Sequence, residues 1–124
     1  MRQVFSILVN NHAGVLSHVS GLFARRGYNI ESIAAGPTEN PEATRIVIVA
    51  FGEEETLEQI AHQLRKLYDV LEVEQLQYNR SITRELVLAT MSADADKRTE
   101  VLQIANDFGA NIVNITDNTV TLEA

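Results

Sequence analysis

Apolar and polar positions along this chain alternate between two periods, and the switches between them mark out its elements. Val4 to Val9 is a short apolar run stopped by Asn10 and Asn11, which predicts a strand entering a loop. From Gly14 the period lengthens. Val15, Val19, Leu22, Phe23 and Arg26 fall at i, i+4, i+7, i+8 and i+11, an amphipathic helix that ends at Gly27. Gly21 inside it costs roughly 1 kcal/mol relative to alanine, and close packing on a sheet is the expected reason. Tyr28 to Ala35 predicts a second strand, and the polar connection Gly36 to Glu42 holds both prolines. Arg45 to Phe51, nearly all apolar and β-branched, predicts a central strand stopped by Gly52. Glu53, Glu54 and Glu55 then precede a helical stripe of Leu57, Ile60, Ala61, Leu64 and Leu67; the early carboxylates and the late Arg65 and Lys66 both suit the helix dipole. Leu71 and Val73 alternate with Glu72 and Glu74 in a half-exposed strand.

The first 76 residues therefore read βαββαβ, the ferredoxin-like order, which sets two helices on one face of a four-stranded sheet and leaves the other face open. After a polar joint over residues 77–83 the pattern restarts. Glu85 to Thr90 predicts a strand, and Val101, Ile104, Ala105 and Phe108 a helical stripe stopped by Gly109. Asn111 to Ile115 and Thr119 to Leu122 predict a hairpin across Asp117 and Asn118. Residues 84–124 thus form an incomplete α+β segment, βαββ, lacking the closing helix and strand of the first. Either a partner chain completes it or the chain is a C-terminally shortened version of a longer one, and the second is the expectation.

Composition narrows the chemistry. Seventeen acidic residues against ten basic give a net charge of −7, which disfavours phosphate backbones and anionic lipid. With no cysteine, disulfides, thiol nucleophiles and thiolate zinc sites are excluded. No apolar run approaches the ~20 residues of a spanning helix, and Met1 to Gln3 opens no signal pattern, so the expected location is cytoplasmic. His12, His18 and His62 lack metal-ligand spacing, and the three glutamates at 53–55 read as a solvated helix start rather than an acid and base pair. No catalytic residue and no metal are expected. An acylphosphatase-like enzyme shares the element order but needs an arginine in the loop after the first strand, where this chain has none. An RNA-recognition module needs a basic, aromatic-rich strand.

The informative segment is Asn11 to Leu16. The helix starting near Gly14 has no Ser, Thr or Asp immediately before it, so the N–H groups of Gly14, Val15 and Leu16 are open to an external carboxylate at the positive end of the dipole. Gly14 lets a ligand approach the main chain, and the Asn11 side-chain carbonyl suits a primary ammonium. Together these features fit a small zwitterion. The plainer alternative, that Asn11 caps the helix and Gly14 relieves a turn, explains the same residues. The site also needs a second wall, and a sheet continued across two chains would bring in Asn29 and Ile30 of a neighbour.

These residues carry a resemblance. Asn11, Gly14 to Ser17, Val19, Gly21 to Phe23 and the run Arg26 to Ser32 closely resemble the ACT domain of the small, regulatory subunit of acetolactate synthase (acetohydroxyacid synthase). Arg45 to Phe51 and Tyr68 to Val73 continue the match, and Arg84 to Leu88 resembles the start of that family's C-terminal domain. The resemblance implies a non-catalytic chain that binds and activates a catalytic subunit and confers feedback inhibition by valine or another branched-chain amino acid. Thiamine diphosphate, FAD and magnesium would belong to that other subunit. The implied effector site lies between two ACT domains, with Asn11, Gly14, Val15 and Leu16 from one chain and Asn29 and Ile30 from the other. The rival readings are a free-standing ACT-type amino-acid sensor acting on another enzyme or a transcription factor, and a dimerisation module without ligand.

Overall fold

The computed structural model describes all 124 residues, which divide into two compact units, Met1–Ile82 and Thr83–Ala124. In the first, β1 (Arg2–Asn10), α1 (Val15–Arg25), β2 (Ile30–Pro37), β3 (Ala43–Phe51), α2 (Glu54–Arg65) and β4 (Val70–Gln77) follow one another. The sheet order is β2-β3-β1-β4 with every neighbouring pair antiparallel, the ferredoxin-like arrangement expected from the pattern.

The core forms where the two helical stripes meet one face of the sheet. Val15, Val19, Leu22 and Phe23 of α1 and Leu57, Ile60, Ala61 and Leu64 of α2 are buried against Phe5, Ile7 and Val9 of β1 and Ile46, Ile48 and Ala50 of β3. The apolar residues of the expected stripes are thus the buried ones, except Leu67, which follows α2 and packs on the core while partly exposed; Arg26, the last position of the α1 stripe, lies past the helix and is exposed. Tyr28 lies before β2; its ring meets Phe23 edge-to-face at 6.2 Å and so closes the α1–β2 turn. Gly21 is not held by sheet packing. It lies off the buried stripe, and a β-carbon there would meet the Arg25 guanidinium at 3.2 Å.

The second unit holds β5 (Leu88–Ser92), α3 (Arg98–Asp107), β6 (Asn111–Ile115) and β7 (Thr119–Glu123), with sheet order β5-β7-β6. Glu85 and Leu86 fall outside β5, contrary to the pattern, because the ladder with β7 begins at Leu88 opposite Glu123 and is extended only by the reciprocal Val87 and Ala124 bonds. Arg98 donates to the carbonyls of Thr116 and Asp117 at 2.7 and 3.0 Å and so ties α3 to the β6–β7 hairpin. The core is small: Ala93, Ala105, Val120 and Leu122. One helix cannot cover three strands, and an apolar groove of about 330 Å³, lined by Val87, Met91, Ile104 and Phe108 among others, stays open beside it.

Candidate functional site

The loop from Asn11 to Gly14 joins β1 to α1 at one end of the first unit's sheet. Gly14 occupies the position before the helix with φ +87°, a left-handed conformation that L side chains rarely adopt. Space is not the constraint, since a β-carbon there would meet nothing within 4 Å. No side chain caps the helix start. Gly14 and Leu16 make no N–H hydrogen bond within the chain, and Val15 reaches the His12 carbonyl at 3.4 Å. Ser17, which the sequence reading omitted, is the third open donor; the general rule that a helix start leaves four amides unpaired was the signal for it. Gly14, Leu16 and Ser17 are all exposed, Leu16 at 48%.

Asn11 does not cap α1. Its amide Nδ2 donates to the Pro41 carbonyl at 3.1 Å, its Oδ1 accepts from the Thr44 hydroxyl at 3.1 Å, and its backbone N–H donates to the Glu42 carbonyl at 2.8 Å. It therefore fixes the loop against the β2–β3 connection. Its amide oxygen keeps one lone pair for a further donor.

Asn29 and Ile30 stand at the other end of the sheet. Ile30 is opposite Ala50, which is itself opposite Gln3, whereas the α1 loop leaves the sheet at Asn10, opposite Ala43. Seven strand positions at about 3.3 Å each separate the two groups. Within one chain the structure brings Asn11, Gly14, Val15 and Leu16 together and leaves Asn29 and Ile30 apart from them.

β2 is one of the two edge strands of this sheet, β4 being the other. Ile33 is 43% exposed, Ala34 and Ala35 are exposed, and the strand carries no lysine or arginine. Such an edge offers unpaired backbone groups to another strand. A second cavity, about 560 Å³, opens at the Ile30 end of the sheet, where Arg2 lies over the Tyr78 ring and pairs with Glu31 at 2.9 Å. Its one cationic side chain, Arg2, is thus already paired with a carboxylate, and the Met1 amino group donates to the Gly52 carbonyl at 2.9 Å. No three histidine or carboxylate groups converge to hold a metal ion, and no helix is long and apolar enough to cross a membrane.

Comparison with known proteins bears on both units. Residues 5–72 match the family described as AHAS small subunit-like ACT domain, and residues 84–124 match that described as small subunit of acetolactate synthase. The chain is similar to the acetolactate synthase small subunit of Mycobacterium avium, at 43% identity over 96% of this chain and 71% of that protein. It is similar also to the acetolactate synthase isozyme 3 small subunit of Escherichia coli K12, at 41% identity over 99% and 76%. Among solved structures, the acetolactate synthase small subunit of Thermotoga maritima superposes with a TM-score of 0.84 at 31% identity, over 99% of this chain and 77% of that one.

Proposed function

Since the chain belongs to the acetolactate synthase small-subunit family, we propose that it binds the catalytic subunit of that enzyme, activates it, and makes it sensitive to valine or another branched-chain amino acid. The catalytic subunit supplies the chemistry, with its thiamine diphosphate, FAD and magnesium, and this cytoplasmic chain supplies regulation.

The observation that carries the reading is the uncapped start of α1, with the Gly14, Leu16 and Ser17 amides unpaired beside the fixed Asn11 side chain. A valine carboxylate fits the amides, its ammonium the Asn11 oxygen and neighbouring carbonyls, and its isopropyl group the exposed Leu16 surface. Charge-assisted hydrogen bonds at about 1.5–3 kcal/mol each and burial of a branched side chain at about 1.5–3 kcal/mol together reach micromolar binding before ordering costs, provided water is excluded.

Exclusion of water requires a second chain. If β2 pairs antiparallel with β2 of another copy about a two-fold axis at Ile33, Ile30 of each chain falls opposite Gly36 of the other. The partner's Asn29 and Ile30 then lie at the loop end of the sheet, and the separation seen within one chain becomes a requirement for the dimer. Valine bound across this interface favours one arrangement of the two ACT domains, and the catalytic subunit favours the other. Inhibition is then a coupling free energy between two sites.

The test is reconstitution. Adding the purified chain to an acetolactate synthase catalytic subunit should raise acetolactate formation, and valine should lower it again. A chain that binds valine but neither binds nor activates the catalytic subunit would instead be a free-standing sensor.

A further inference from the structure

Asp69 lies in the turn between α2 and β4, far in sequence from the α1 start, yet it holds that segment. Its backbone carbonyl accepts from the Asn10 N–H at 2.9 Å, and its Oδ1 accepts from Asn10 Nδ2 at 3.4 Å. The same Oδ1 stands 3.4 Å from His12 Nδ1, and Oδ2 stands 3.9 Å from His18 Nδ1. One carboxylate, its side chain only 18% exposed, thus touches the end of β1, the loop and the first turns of α1.

We infer that Asp69 is a positioning residue for the effector site, the anchor that aims the open amides of α1 from the side opposite Asn11. This inference rests on the reading of the α1 start as the valine site. The loop has two edges to be tied. Pro41, Glu42 and Thr44 hold Asn11 on the β3 side, and Asp69 holds Asn10, His12 and His18 on the β4 side. The tie reaches the donors through His12, whose carbonyl faces the first helical N–H, that of Val15, at 3.4 Å. An anion site made of backbone amides binds well only when the amides already point inward, because ordering them on binding subtracts from affinity. Asp69 touches no ligand in this arrangement and acts through the loop.

The experiment compares Asp69→Ala, Asp69→Asn and wild type by valine calorimetry and by the backbone amide NMR signals of Gly14, Leu16 and Ser17. Asp69→Ala should weaken valine binding about fivefold, the upper range for a partly exposed charged contact, and shift or broaden those three signals. Signals from Ile46 and Ile48 in β3 should stay in place. Asp69→Asn keeps an oxygen for Asn10 and should retain most of the affinity; it also serves if the alanine variant does not fold. His12→Ala added to Asp69→Ala should cost less than the sum of the single changes. Wild-type affinity together with unmoved loop signals in Asp69→Ala overturns the inference. Failure of wild type to bind valine overturns the functional reading instead, and the amide signals then decide alone whether Asp69 anchors the loop.

Discussion

The hydroxyl of Thr44 donates to the Asn11 side-chain oxygen at 3.1 Å and so ties the loop before α1 to the first residues of β3. The contact is exposed and neutral, and such bonds contribute about 0.5–1.5 kcal/mol. Thr44→Val should therefore lower the melting temperature by only a few degrees while weakening valine binding several-fold, because the loop loses one of its ties. Paired thermal melts and calorimetry check this; an equal loss of stability and no loss of affinity would remove Asn11 from the site.

Gly14 separates two causes that a single substitution confounds. Its φ of +87° penalises any L residue, by roughly 1–2 kcal/mol, and asparagine tolerates this region better than most. Asparagine and aspartate have nearly the same shape, so Gly14→Asn measures strain and Gly14→Asp adds a negative charge at the amide donors. Gly14→Asp should abolish valine inhibition of a reconstituted enzyme, and Gly14→Asn should retain part of it. Equal sensitivity in the two variants would mean that no anion binds there.

The exposed edge at β2 predicts the assembly. Ala34 lies next to the proposed two-fold axis, so Ala34→Lys sets two positive charges against each other across it. Light scattering should find a dimer for wild type and a monomer for the variant, with valine binding lost at the same time. A variant that stays dimeric and binds valine normally would locate the dimer elsewhere.

Stability should divide between burial and exposure. Leu64 is fully buried between α2 and the sheet, and Leu64→Ala should cost about 2–5 kcal/mol, read from denaturant unfolding of the first unit. Phe108 is 84% exposed, and Phe108→Ser should shift stability by less than about 0.5 kcal/mol while reducing self-association at high concentration.

The sequence was most legible where one element's own period decides its burial. All four buried positions of α1 and all four of α2 followed from spacing alone. α3 shows the limit of that signal. Ile104 and Phe108 belong to its stripe, yet they are 50% and 84% exposed, because periodicity reveals an apolar face but not what lies against it. The same holds at the site. An uncapped helix start is readable in the residues around Gly14, whereas the hold on Asn11 by Thr44 and on Asn10 by Asp69 links positions 33 and 59 residues apart and exists only once the sheet has formed. Gly21 was misread for a related reason: a glycine's cost is local, and its cause depends on neighbours that the pattern does not specify.

The central claim is that one amino acid is held by the α1 start of one chain and the β2 start of another. Amide NMR of the full chain titrated with valine tests it most directly. The account predicts saturable shifts, largest at Gly14, Leu16, Ser17, Asn29 and Ile30, even though the last two lie at the opposite end of the sheet within a single chain. Shifts confined to other residues, or none at millimolar valine, would contradict it.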